Sequence, residues 1–80
     1  MFYVYLLQST GVAGQRYIGV TSNLKLRVAE HNAGKSPHTS KYGPRTLVTY
    51  IAFSDARKAE NFERYLKSDS GHAFARKRLW

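Results

Sequence analysis

The pattern that most constrains this chain runs from Arg16 to His31. A short apolar run, Tyr17-Ile18-Gly19-Val20, meets the turn-forming Thr21-Ser22-Asn23, and an amphipathic segment begins at Leu24. Aromatic and β-branched residues followed by side chains that cap a helix N-terminus predict a strand handing over to a helix. Two residues break the pattern. Arg27 and His31 stand at i+3 and i+7 from Leu24, where a buried helix face wants aliphatic side chains. Packing alone does not select them.

The other elements follow in order. Residues 2–7 are aromatic and β-branched and predict a first strand. Ser9-Thr10-Gly11-Val12-Ala13-Gly14 predicts a turn, and residues 15–20 the return strand of a hairpin. That hairpin puts Tyr5 and Tyr17 on adjacent strands, within reach of one site. Gly19 inside a strand predicts close approach by another group or a kink. Ser22 or Asn23 caps a helix running to about Asn32 and ended by Gly34. Residues 34–45 form a long polar loop with both prolines, and residues 46–53 give the best strand pattern, predicted to be central. Ser54 is predicted to cap a second helix, with Asp55 at its N-terminus and Ala56, Ala59, Phe62 and Leu66 on its apolar face. Glu63 falls within that arc, where a carboxylate is costly unless paired or holding a cation. Asp69-Ser70-Gly71 should end this helix. Residues 72–80 then form a basic last helix, with Ala73, Phe74 and Leu79 inward and Arg76-Lys77-Arg78 outward. The order β-β-α-β-α-α predicts an α+β fold, a small three-stranded antiparallel sheet flanked by helices, as one domain over residues 1–80.

Composition narrows the function. With no cysteine, disulfides and thiolate zinc sites are excluded. The longest apolar run, Val4-Tyr5-Leu6-Leu7, is too short to span a bilayer, and Met1-Phe2-Tyr3 is unlike the charged start of a signal peptide. A cytoplasmic protein without membrane partners is the expectation. Thirteen Lys and Arg against five Asp and Glu give a formal charge of +8. In so small a domain this excess points to a polyanion, nucleic acid first, over a merely solubilising surface.

Val4-Tyr5, then Tyr17-Ile18-Gly19, then Arg27 and His31, then Glu63 in Glu63-Arg64-Tyr65-Leu66-Lys67, together resemble the GIY-YIG nuclease superfamily. The likeness covers essentially the whole chain. It is to small stand-alone bacterial members, related to the nuclease domain of the excision-repair incision subunit and to Slx-type endonucleases. Two departures stand out. The first triplet reads Tyr3-Val4-Tyr5, keeping the tyrosine but not the glycine, and no asparagine follows Asn61, where many members carry one near the metal. The resemblance implies a metal-dependent DNA endonuclease, structure- or single-strand-selective, in DNA repair or processing. Its site would comprise Tyr5, Tyr17, Arg27, His31 and Glu63.

The chemistry asks for these residue types. Phosphodiester hydrolysis needs an activated water, counter-charge for the transition state and help for the leaving oxygen. Tyr17 could take the water's proton, with Tyr5 sharing that work or positioning the water. Arg27 supplies a planar, permanent cation for phosphate oxygens. Glu63 would hold one Mg²⁺ or Mn²⁺, and His31 would bond a phosphate or relay a proton. Lys25, Lys35, Lys41, Arg45, Lys67, Arg76, Lys77 and Arg78 are candidate phosphate contacts. The plainer readings are strand tyrosines with wet hydroxyls, an Arg27–Glu63 structural ion pair, and solvated surface cations. A rival function is a non-catalytic nucleic-acid-binding module with a decayed site. A third is a nuclease that needs a protein partner for activity or targeting.

Overall fold

Two strands, β1 (Phe2–Ser9) and β2 (Arg16–Thr21), form the predicted hairpin in the computed structural model. The structure describes residues 1–12, 14–33 and 44–80. Most of the long polar loop, with Lys35 and Lys41, lies outside those residues. At the hairpin turn the Ser9 hydroxyl accepts from the Gly11 and Val12 amides, at 3.2 and 3.0 Å. Gly14 closes it at φ 81°, a left-handed conformation that favours glycine.

Three further elements follow α1 (Leu24–Asn32): β3 (Arg45–Phe53), α2 (Ala56–Leu66) and α3 (Asp69–Arg78). The sheet is antiparallel throughout, in the order β2-β1-β3. The predicted architecture holds, with one correction: the central strand is β1, not β3. Val4, Tyr5, Leu6 and Leu7 are all buried, as a strand covered on both faces must be, whereas exposed residues alternate along β3.

The two faces of β1 serve different ends. Val4 and Leu6 join Ala59, Leu66 and Ala75 in the buried apolar cluster, so α2 and α3 pack there. Truncating Leu6 or Leu66 to alanine in such a cluster costs roughly 2–5 kcal/mol. Tyr5 alternates to the other face, where α1 lies. The register between β1 and β3 slips at Leu6/Leu7, so Tyr50 pairs with Tyr5 and Leu47 with Leu7. Val48 is the extra residue, and this bulge sets Leu47 and Tyr50 on the α1 face together.

The helix boundaries correct the sequence reading in two places. Asp55, not Ser54, is the N-cap of α2, accepting from the Arg57 amide at 2.8 Å. Asp69-Ser70-Gly71 does not end α2 but opens α3, capped by Ser68, whose hydroxyl accepts from the Gly71 amide at 3.2 Å. A Cβ at position 71 would collide with the Tyr65 carbonyl, so glycine lets α3 turn tightly against the end of α2. The inward residues of α3 are Gly71 and Ala75. Ala73 is exposed and Phe74 retains 38% of its surface, against the prediction that both face inward. The predicted cap at Asn23 is present, its side chain accepting from the Leu26 amide at 3.1 Å.

Candidate active site

Four of the five predicted residues converge on the α1 face. Tyr5 is 1% exposed and its hydroxyl lies 3.0 Å from Nε2 of His31, which is equally buried. Arg27 Nε donates to the same hydroxyl at 3.4 Å. The Tyr17 ring stands 4.8 Å from the His31 ring and 6.1 Å from that of Tyr5, centroid to centroid. Arg27 and His31 are one helical turn apart on α1, which is why their odd positions in the pattern coincide in space.

Gly19 makes this convergence possible. It is the β2 partner of Tyr5. A Cβ there would sit 2.5 Å from the Tyr5 hydroxyl and 2.9 Å from the Tyr17 ring. The Tyr5 phenol lies across bare backbone, the close approach that a glycine within a strand predicts.

Burial pushes the Tyr5 phenol up to about 12, against the smaller opposing effect of the Arg27 hydrogen bond. His31 is held below its ordinary value, first by burial and then by the positive charges of Arg27 and Arg45. A neutral imidazole therefore faces a neutral phenol. The phenol oxygen accepts from Arg27 Nε, shares a hydrogen bond with His31 Nε2, and is joined by a further side-chain hydrogen bond to Tyr17. The hydrogen bond to Tyr5 raises Arg27, which stays a permanent cation. Its Nη1 also pairs with Glu30 at 3.3 Å, and its side chain remains 38% exposed. The cluster can present a fixed guanidinium and the half-buried Tyr17 to an anion, over a floor that does not ionise near neutral pH.

Glu63 lies on α2, which packs on the face of the sheet that Val4 and Leu6 present, while Tyr5 presents the α1 face. Its carboxylate pairs with Lys67 one turn on and Arg27 pairs with Glu30, so the Arg27–Glu63 ion pair of the plainer reading is not formed. The edge strand β2 links the two sides, since Tyr17 lies on the Tyr5 face while Ile18 and Val20 pack against the α2 cluster.

The other candidates divide. Lys25, Lys67, Arg76, Lys77 and Arg78 are exposed. Arg45 is 5% exposed and donates from Nη1 to the Gln15 carbonyl at 3.4 Å, so it ties β3 to the hairpin instead of meeting solvent. Its amide also donates to the Asn32 side chain at 2.6 Å, anchoring the end of α1. Sequence reasoning missed Glu30 as the partner of Arg27, although an acid at i+3 is a legible signal. Among the described residues no group of three or more His, Cys, Asp or Glu could hold a metal. A lone carboxylate such as Glu63, with 17% of its side chain exposed, would offer a metal one protein oxygen. That fits a hard ion keeping most of its water, as Mg²⁺ does, and not an all-protein cage.

Comparison with known proteins agrees with this architecture. A family model described as the GIY-YIG catalytic domain matches residues 1–77. A UPF0213 protein of Cupriavidus pinatubonensis is 36% identical over 80 residues, covering 95% of this chain and 87% of its own. One of Lacticaseibacillus paracasei is 36% identical over 72 residues, covering 89% and 79%. The solution NMR structure of the UPF0213 protein BH0048 from Bacillus halodurans aligns with a TM-score of 0.57 at 30% identity, covering 96% of this chain and 84% of that one. The chain belongs to the GIY-YIG nuclease family, in its UPF0213 group.

Proposed function

We propose that the protein is a divalent-metal-dependent DNA endonuclease, selective for single strands or DNA structure, acting in DNA repair or processing. The observation that carries this reading is the Tyr5–His31–Arg27–Tyr17 cluster, on a GIY-YIG fold with a formal charge of +8. Arg27, aimed by Tyr5 and Glu30, binds a phosphate oxygen and meets the charge that builds on the phosphoryl group. Tyr17 stands beside it and, as the phenolate, accepts the water's proton. Tyr5 does not share that work at neutral pH, because its raised proton affinity keeps it protonated. It positions Arg27 and His31. Glu63 would hold one Mg²⁺ or Mn²⁺ near the β2 edge once its carboxylate is released from Lys67. A bound ion supplies counter-charge and stabilises the leaving oxygen.

The test is cleavage of single-stranded, flapped and duplex DNA with Mg²⁺ or Mn²⁺. Wild type should cut, Glu63→Ala should be inactive with affinity retained, and Arg27→Ala should lose cleavage more than binding. If wild type and Glu63→Ala are equally inert on every substrate, the enzyme reading is wrong. One observation favours the rival, a non-catalytic DNA-binding module: the Glu63 carboxylate is paired with Lys67 and the Arg27 guanidinium with Glu30. That rival predicts salt-sensitive binding with no metal dependence.

A further inference from the structure

An open cleft of about 560 Å³ lies on the α1 face, lined in part by Tyr3, Asn23, Leu24, Lys25, Val28 and Tyr50. It borders the Tyr5 cluster without sharing its residues. Tyr3 and Tyr5 are successive side chains on one face of β1, and Leu24 of the cleft lining lies one turn before Arg27 on α1. Tyr3 and Tyr50 meet edge to face, ring centroids 6.0 Å apart, yet Tyr50 keeps 52% of its surface in solvent. Pairing opposite Tyr5 puts this ring on the α1 face, and the bulge at Val48 brings Leu47 alongside it. Among the described residues the lining carries a cation, Lys25, and no carboxylate. An open aromatic face beside a cation, in a strongly basic chain, is the arrangement that receives a nucleobase and its phosphate. The volume suits one such group, since ligand pockets run to roughly 300–1,000 Å³.

We propose that this cleft is a base-binding subsite, holding one unpaired base of single-stranded DNA stacked on Tyr50, with the adjoining phosphate on Lys25. The assignment rests on the reading of the chain as a DNA-acting protein and names the feature it selects, an unpaired base next to the cleavage site. Duplex DNA, whose bases are stacked internally, cannot offer that base without opening.

The experiment measures binding in EDTA to an oligothymidylate and to an abasic strand of equal length and phosphate count. Wild type should prefer the strand that carries bases. Tyr50→Ala should lose roughly 5- to 150-fold on that strand, the range expected from one lost stacking contact, and be unchanged on the abasic strand. Tyr50→Phe, which keeps the ring, should retain the preference. An equal change on both strands, or none, overturns the subsite, as does a wild type indifferent to the bases. The nuclease reading stands or falls separately. Tyr50-dependent preference in a protein that cuts no DNA supports the subsite alone, and cleavage without that preference rejects the subsite alone.

Discussion

Tyr5 and Gly19 show how much of the site depends on single atoms. The phenol reaches His31 because position 19 has no Cβ, and adding one would place it 2.5 Å from the hydroxyl. Gly19→Ala should therefore destabilise the fold by about 1–3 kcal/mol, as overpacking does, and weaken the Tyr5–His31 contact. Urea denaturation measures the first effect and the His31 ring resonances the second. The protonation states give opposite pH limbs. Tyr5 rises in the folded state to about 12, so its contribution to stability is full below pH 10 and is lost as pH climbs from there. Tyr5→Phe should flatten that alkaline loss, which is on the order of 2–3 kcal/mol. His31 is lowered on folding, so its contribution is full above about pH 6.5 and declines as pH falls toward its own depressed value. An NMR titration of His31 with a midpoint at or above the ordinary histidine value would reject the buried neutral imidazole.

At the scale of elements, the helix ends decide where α2 and α3 lie. The Asp55 side chain, not Ser54, holds the first amides of α2. Asp55→Ala should cost about 1 kcal/mol in chemical denaturation, while Ser54→Ala should change stability by no more than about 0.5 kcal/mol. Equal losses would contradict this cap. The sequence pattern is ambiguous here because Ser and Asp are both good caps, and only backbone geometry chooses between neighbours. Ser68 and Gly71 make the same point. A Ser-Asp-Ser-Gly run reads as a helix terminus, and it is one, but it starts α3 against the end of α2. The bulge in β3 was not legible at all. Residues 46–53 read as an uninterrupted strand, and the slip that carries Tyr50 and Leu47 to one face depends on pairing with β1.

At the scale of the whole molecule, charge and layering govern what the protein can meet. The exposed run Arg76, Lys77 and Arg78 lies at the end of α3. If it contacts phosphates, replacing all three with alanine should reduce the slope of log affinity against log salt by about 2 for single-stranded DNA, at about 0.7 per contact. An unchanged slope in a binding titration across salt would remove the run from the interface. Element order, sheet composition, the family and the pairing of Tyr5 with Tyr17 and Arg27 with His31 were all determined by the chain itself. Each rests on local periodicity, on turn chemistry or on side chains one helical turn apart. Tertiary structure alone decided the rest. The central strand became β1, because centrality depends on what covers both faces. Arg45 was buried by the hairpin it braces. Arg27 took Glu30 and Glu63 took Lys67 as partners, on helices that β-strand alternation assigns to opposite faces, and no spacing along the chain states which helix takes which.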